Sequence, residues 1–230
     1  MEPAIARKRA MPAPLAALLA TLLAFPQAAL AADFTPRRAD FSGEKASADS
    51  RRVADWAIAS GDTHGLPFAI VDKVDAKIFV FDGNGAIRGA APVLLGLARG
   101  DDSPPGIGTR KLSDIRPAER ITPAGRFVAE RGLNLAGQDI LWVDYDAAVS
   151  LHRVTDVKPG LTAKDRLARL ASASARDHRI SHGCINVSVA FYDHIIRSSF
   201  NGTDGIIYIL PETRPINAVF AIPAAAGSRT

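Results

Sequence analysis

The chain has a single cysteine, Cys184, so no disulfide within the chain is available to it. A finger-type zinc site is excluded as well. Such sites need a second Cys or paired His at set spacings, and His178, His182 and Cys184 fit neither a finger nor an H-E-x-x-H helix. Strong charge of one sign is also missing. The formal net charge is +4, and three of its cations (Arg7, Lys8, Arg9) lie in the first ten residues, which gives no case for nucleic acid as a partner. Internal repeats and heptads are absent too. No segment after the N-terminal region is apolar enough to span a bilayer, which takes about 20 apolar residues.

What is present begins with a leader. Arg7, Lys8 and Arg9 precede an apolar run from Ala13 to about Phe25, and "ALAA" follows. A basic cluster, a short apolar core and a small-residue site describe a cleaved signal peptide, residues 1–31, with the cut near Ala31 or Ala32. The alternative is an uncleaved anchor. Export places the mature protein in the periplasm, an oxidising setting where cysteines usually pair. A lone thiol there is a buried inert group, an intermolecular bridge or a nucleophile. Its neighbours favour the last. Gly183 removes a side chain before it and His182 adds a polar ring, where a buried strand would carry Val or Ile.

About 200 residues remain after the leader, enough for one domain with its own core. Residues 32–66 read as a lead-in with a short helix, Ser47 capping it, Gly61 stopping it, and Val53, Trp56, Ala57 and Ser60 on its inner face. Residues 67–214 form the main domain. "DGNG" (82–85) is a hairpin signal between "AKIFVF" and "AIRGAAPVLL". A Pro/Gly-rich loop spans residues 98–120, and strands follow in "ITPAGRFVAERG" and "DILWVDYDAAVSLHRV". Thr162 and Asp165 form a capping box for a helix over 162–173 that buries Leu161, Leu167 and Leu170. Ser188 caps a second helix, with Val189, Tyr192, Ile195 and Ile196 inward, and "GIIYILPE" is a last strand. The tail, 215–230, reads as a frayed end whose first residues could add a short strand. The fold class expected is mainly β, with a few peripheral helices.

A thiol attacks as thiolate, and an imidazole can take its proton. Of His64, His152, His178, His182 and His194, His152 is the best base, because it ends a strand and strand ends converge on sites. The bland reading, a satisfied strand histidine, stands beside it. His178 lies in a charged turn and is expected at the surface; it is the weaker rival base. His194 is expected to pack or face solvent, and nothing argues for His64. Lys164, Arg166, Arg169, Arg176 and Arg179 would flank the site, most simply as a solvated basic face.

The run Ser181-His182-Gly183-Cys184-Ile185-Asn186, after a strand-borne His152, resembles the signature of the L,D-transpeptidase (YkuD) catalytic domain. "ITPAGRF" (121–127) is similar to a second stretch of that family, and the hairpin at 71–87 to its opening one. The resemblance implies a mixed β-sandwich or barrel-like domain needing no cofactor or metal. It implies Cys184 as nucleophile and His152 as base. The backbone N–H groups of Gly183 and Cys184, with His182 nearby, would form or support the oxyanion site, and Ser181 and Asn186 would fix the loop. Donor and acceptor would be peptidoglycan stem peptides, giving cross-linking or remodelling of the wall. Water as acceptor would make the protein an L,D-carboxypeptidase. A non-catalytic wall-binding module is the rival from another class, and an exported protein-cleaving cysteine peptidase is a third. One departure stands out: the spacer 153–180 is longer than the family's usual one, and its excess coincides with the helix over 162–173.

Overall fold

A computed structural model describes residues 37–155 and 162–222. The leader and residues 156–161, with Leu161, lie outside the described residues. Among the described residues no helix is long and apolar enough to cross a membrane.

The fold is mainly β, as expected. Ten strands occur among the described residues: β1 (Phe68–Asp72), β2 (Lys77–Phe81), β3 (Ile87–Pro92), β4 (Leu95–Gly96), β5 (Gly125–Leu133), β6 (Asp139–Asp144), β7 (Val149–Arg153), β8 (Arg179–Ser181), β9 (Ile185–Val187) and β10 (Gly205–Ile209). Eight form one mixed sheet in the order β3-β2-β1-β10-β5-β6-β7-β9, and β4 pairs with β8. The sheet comes close to shutting on itself. Just past β3, Leu94 exchanges two backbone hydrogen bonds with Asn186 of β9, at 2.8 and 2.9 Å. That contact joins the two edges of the sheet and leaves few unpaired groups there.

Local chemistry explains the elements. At the β2–β3 hairpin the Asp82 carboxylate accepts the N–H groups of Asn84 and Ala86, and Gly85 takes φ +88°, open to glycine without strain. Strands β1 and β10 are buried along their whole length, because both faces are covered. On one face Val71, Ile78, Leu141, Leu151, Ile185 and Ile207 make a core closed by the helix that follows β9. On the other, Phe68, Ile70, Phe79 and Tyr208 pack under helix α1 (Ala48–Ser60). Ser47 caps α1 by accepting from the Ser50 N–H, and Gly61 ends it at φ +71°.

Several details depart from the sequence pattern. On α1, Val53, Ala54, Ala57 and Ile58 are buried while Ser60 is exposed, so the docked face is rotated towards 54 and 58. Helix α2 (Ala163–Leu170) starts at the expected capping box but buries Arg166 and Leu170, leaving Leu167 42% exposed. After Ser188, α3 (Val189–Phe191) runs through a π-turn over Tyr192–Ile196 into Arg197–Ser199. Tyr192 and Ile196 face inward, Ile195 is half-buried, and Val189 is exposed at the helix start. The tail opens with a 3₁₀ turn (Ile216–Ala218) instead of a strand, and Phe220 and Ile222 are buried against the α1 face.

Candidate active site

Strands β7 and β9 are parallel neighbours, with His152 in register with Asn186. The strand order therefore brings the two halves of the proposed site together across a long stretch of sequence. His152 is half-buried at the end of β7. Its Nδ1 lies 2.7 Å from the Arg153 carbonyl oxygen, and since a carbonyl only accepts, Nδ1 carries the proton. Nε2 is then an acceptor, and it receives the Asn186 Nδ2–H at 2.9 Å. Arg153 is itself held. Its guanidinium donates to Asp193 (2.9 Å) and to the Asp139 carbonyl (3.0 Å), and lies 4.0 Å over the Tyr192 ring.

Cys184 is half-buried at the entrance to β9. Its Sγ lies 3.7 Å from Ser150 Oγ and 3.7 Å from the Ala148 carbonyl oxygen. Burial pushes the thiol pKa up. The His152 ring beside it, with the N–H and hydroxyl of Ser150, outweighs that and holds the pKa below its ordinary value. His182 is pushed the same way by partial burial and by the cations Arg120 and Arg166, so its ring favours the neutral form.

The loop before Cys184 is fixed at Ser181 and Gly183. Ser181, buried, donates its hydroxyl to the Cys184 carbonyl (2.7 Å) and accepts the Gly183 N–H (3.1 Å). The Gly183 amide is thus engaged within the loop, where it shapes the turn before the thiol. Gly183 sits at φ +133°, and a Cβ there would lie 2.8 Å from the Ile121 carbonyl oxygen, so only glycine fits. Thr122, in the "ITPAGRF" stretch, donates its hydroxyl to the Gly183 carbonyl and accepts the Gly96 N–H, both at 2.8 Å.

Beneath Thr122 lies a charged cluster that sequence reasoning missed. Lys73 is fully buried and donates to Asp101 Oδ1 (2.8 Å), the Gly100 carbonyl (2.5 Å) and the Thr122 carbonyl (2.9 Å). Burial would raise the Asp101 pKa, but Lys73, Thr213 and the N–H groups of Glu212 and Thr213 hold it far below the usual carboxylate range. Glu212 takes the Arg179 and Arg99 guanidinium groups at 2.7 and 3.0 Å. Nothing in the local sequence signals this cluster, since its members come from four separate segments.

The other histidines lie apart from the thiol. His178 was expected at the surface, yet it is only 4% exposed, because the 3₁₀ turn Ala175–His178 folds back so that Nε2 meets the Ser172 carbonyl at 3.2 Å. It has no contact with Cys184. His194 and His64 are exposed. Arg166 is buried too, and the reading of its helix as a solvated basic face fails at that residue.

A cavity of 510 Å³ opens beside the base. It is lined by Leu133, Leu135, Trp142, Ser150, His152 and Thr155. Trp142 stacks on Tyr145 at 5.0 Å between ring centroids.

No protein-family model and no curated protein matches this chain. Solved structures similar to it include L,D-transpeptidases. The helical cell shape determining protein Pgp2 of Campylobacter jejuni is 14% identical over 65% of this chain and 49% of its own, with a TM-score of 0.42. An L,D-transpeptidase of Xylanimonas cellulosilytica is 14% identical over 63% and 60%, at 0.38. The catalytic domain of the E. faecium L,D-transpeptidase is 13% identical over 64% and 98%, at 0.35. This chain therefore spans about half the length of Pgp2. Likeness at this distance concerns the outline of the fold and assigns no chemistry.

Proposed function

We propose that the protein is an exported cysteine acyltransferase acting on peptidoglycan stem peptides, an L,D-transpeptidase, with Cys184 as nucleophile and His152 as base. The observation that carries this reading is the meeting of the Cys184 thiol with the His152 ring across the β7–β9 pair, the ring's Nδ1 proton tied to a carbonyl. That tautomer puts the ring's one lone pair on Nε2; the Asn186 amide holds it at rest, and the thiol proton takes that place when the base acts.

In the reaction His152 Nε2 takes the Cys184 proton, and the sulfur bonds to the carbonyl carbon before a D-amino acid. The Cys184 N–H, with the neutral His182 ring near it, would receive the oxyanion; losing one such donor costs other enzymes about 10²–10³ in rate. As the carbon–nitrogen bond breaks, Nε2–H returns its proton to the leaving amine, and a thioester remains. The amine of a second stem peptide resolves it into a cross-link. Water resolves it into a shortened peptide, the L,D-carboxypeptidase outcome. The apolar cavity beside His152 is a natural seat for one of the two peptides. A cleaved leader and a periplasmic location belong to the same proposal, since the substrate lies outside the cytoplasm.

The test is incubation with purified disaccharide-tetrapeptide, following release of the terminal D-amino acid and the products. Wild-type protein should release it and form either dimer or tripeptide, and Cys184→Ala should do neither. Turnover by the alanine variant would remove the nucleophile assignment. An inert wild-type protein would favour the non-catalytic wall-binding reading.

A further inference from the structure

The spacer between base and nucleophile brings a cation into the site. On α2 the docked stripe is Arg166 and Leu170; Leu170 packs with Leu94 and Val154, and Arg166 is carried in with it at 4% exposure. Its Nη2 donates to Asn186 Oδ1. Its Nε is buried without a hydrogen-bond partner, and among the described residues no carboxylate pairs with it. A buried guanidinium with no counter-ion is costly, so either it serves an anion or its place is a liability.

The hydrogen bonds around it have only one consistent direction. Arginine only donates, so Asn186 must turn Oδ1 to Arg166 and Nδ2 to His152. Nε2 of His152 must then accept, Nδ1 must carry the proton, and the Arg153 carbonyl ends the chain. A group that cannot accept stands at one end and a group that cannot donate at the other. The imidazole between them is held as the Nδ1–H tautomer, with its basic Nε2 covered by the Asn186 amide until it takes up a proton.

We propose that Arg166 is a positioning residue of the catalytic pair: through Asn186 it fixes the His152 tautomer, and its unpaired charge is completed by the Cys184 thiolate. This rests on the reading of Cys184 as nucleophile. The charged and titratable groups around the sulfur bear it out. His152 and Ser150 face it from β7, Arg166 stands on α2, and His182 lies in the loop with Arg120 beyond it. His182 is held neutral, Arg153 is committed to Asp139 and Asp193, and Arg120 is partly exposed with its Nε on the Ile115 carbonyl, so Arg166 is the buried fixed charge of the set without a counter-ion. Burial pulls the Arg166 pKa down, and Cys184 is the group that raises it.

The experiment is alkylation of the full chain by iodoacetamide as a function of pH, in which the thiolate sulfur bonds to the acetamide carbon and iodide leaves. Arg166→Met removes charge and donor at similar length, and Arg166→Lys keeps the charge. Thermal unfolding reports whether each is folded; should the Met variant not be, Arg166→Gln takes its place with the same expectation. The midpoint of the wild-type profile should lie below that of a free thiol. The neutral variant should move it up by about half a pH unit or more, or roughly threefold in rate below the midpoint, and Lys should restore at least half of that shift. A smaller shift, or equal shifts in the Met and Lys variants, overturns the role of Arg166 while leaving the nucleophile reading intact. A wild-type thiol that fails to react overturns both.

Discussion

His152 and Asn186 stand opposite each other across the parallel pair β7–β9, and the asparagine amide donates to the imidazole Nε2 at 2.9 Å. Asn186 also closes the sheet through its backbone bonds with Leu94. One residue thus ties the integrity of the fold to the orientation of the base.

Asn186→Ala separates those two tasks. The backbone bonds to Leu94 survive, and the side-chain donor to His152 is lost. A hydrogen bond of this kind contributes about 1–1.5 kcal/mol, so formation of the acyl-enzyme should slow about tenfold. Single-turnover kinetics with a stem-peptide substrate would show it. An unchanged rate would mean that His152 is held by the Arg153 carbonyl alone.

The turn at Gly183 should tolerate no side chain. Gly183→Ala forces a Cβ to 2.8 Å from the Ile121 oxygen at a φ of +133°. The expected loss is about 1–3 kcal/mol of stability together with thiol reactivity, read by urea unfolding and alkylation. A variant with native stability and reactivity would show that the loop can shift freely.

Thr122→Val keeps the shape and removes the hydroxyl that serves both the Gly183 carbonyl and the Gly96 N–H. Both groups are buried and would be left unpaired, which costs about 2 kcal/mol. Denaturant midpoints at constant slope would measure it. A loss below about 0.5 kcal/mol would argue that another group takes over.

Acid stability should depend on Asp101. Its carboxyl pKa is depressed in the folded state, so its stabilisation is fully present above the ordinary carboxylate pKa of about 4 and is lost as pH falls below it towards the folded value. Asp101→Asn should flatten that acid limb. It should also cost about 3 kcal/mol at neutral pH, because Lys73 stays buried with Glu212 at 3.8 Å as its remaining anion. Urea unfolding between pH 3 and 7 checks both parts. An acid limb of wild-type steepness in the variant would place the titration elsewhere.

Much of this arrangement was legible from local chemistry. The Ser47 and Thr162 caps, the Asp82–Gly85 hairpin and the strand ending at His152 depend on a few adjacent residues, and the structure carries each of them. The resemblance around Cys184 led to the expectation that Ser181 and Asn186 fix the loop; Ser181 bonds within it, whereas the Asn186 side chain bonds His152 and Arg166. Arg166 did not, because periodicity assigns a charged position to the solvent side. On α2 the stripes 166/170 and 167/170 both contain Leu170, and packing against Leu94 and Val154 selects the first. Lys73, Asp101 and Glu212 were invisible for a related reason: a buried ion cluster drawn from distant loops leaves no periodic trace. His178 was misplaced because the backbone turn that buries it depends on the Ser172 carbonyl and not on its charged neighbours.

The most direct test of the central claim is the intact mass of the native protein after incubation with disaccharide-tetrapeptide, quenched at short times and mapped by peptide digestion. A reactive thiolate poised beside His152 predicts an acyl adduct on the Cys184 peptide that retains the stem peptide without its terminal D-amino acid. A native, folded protein that carries no adduct at any time and releases no amino acid would contradict it.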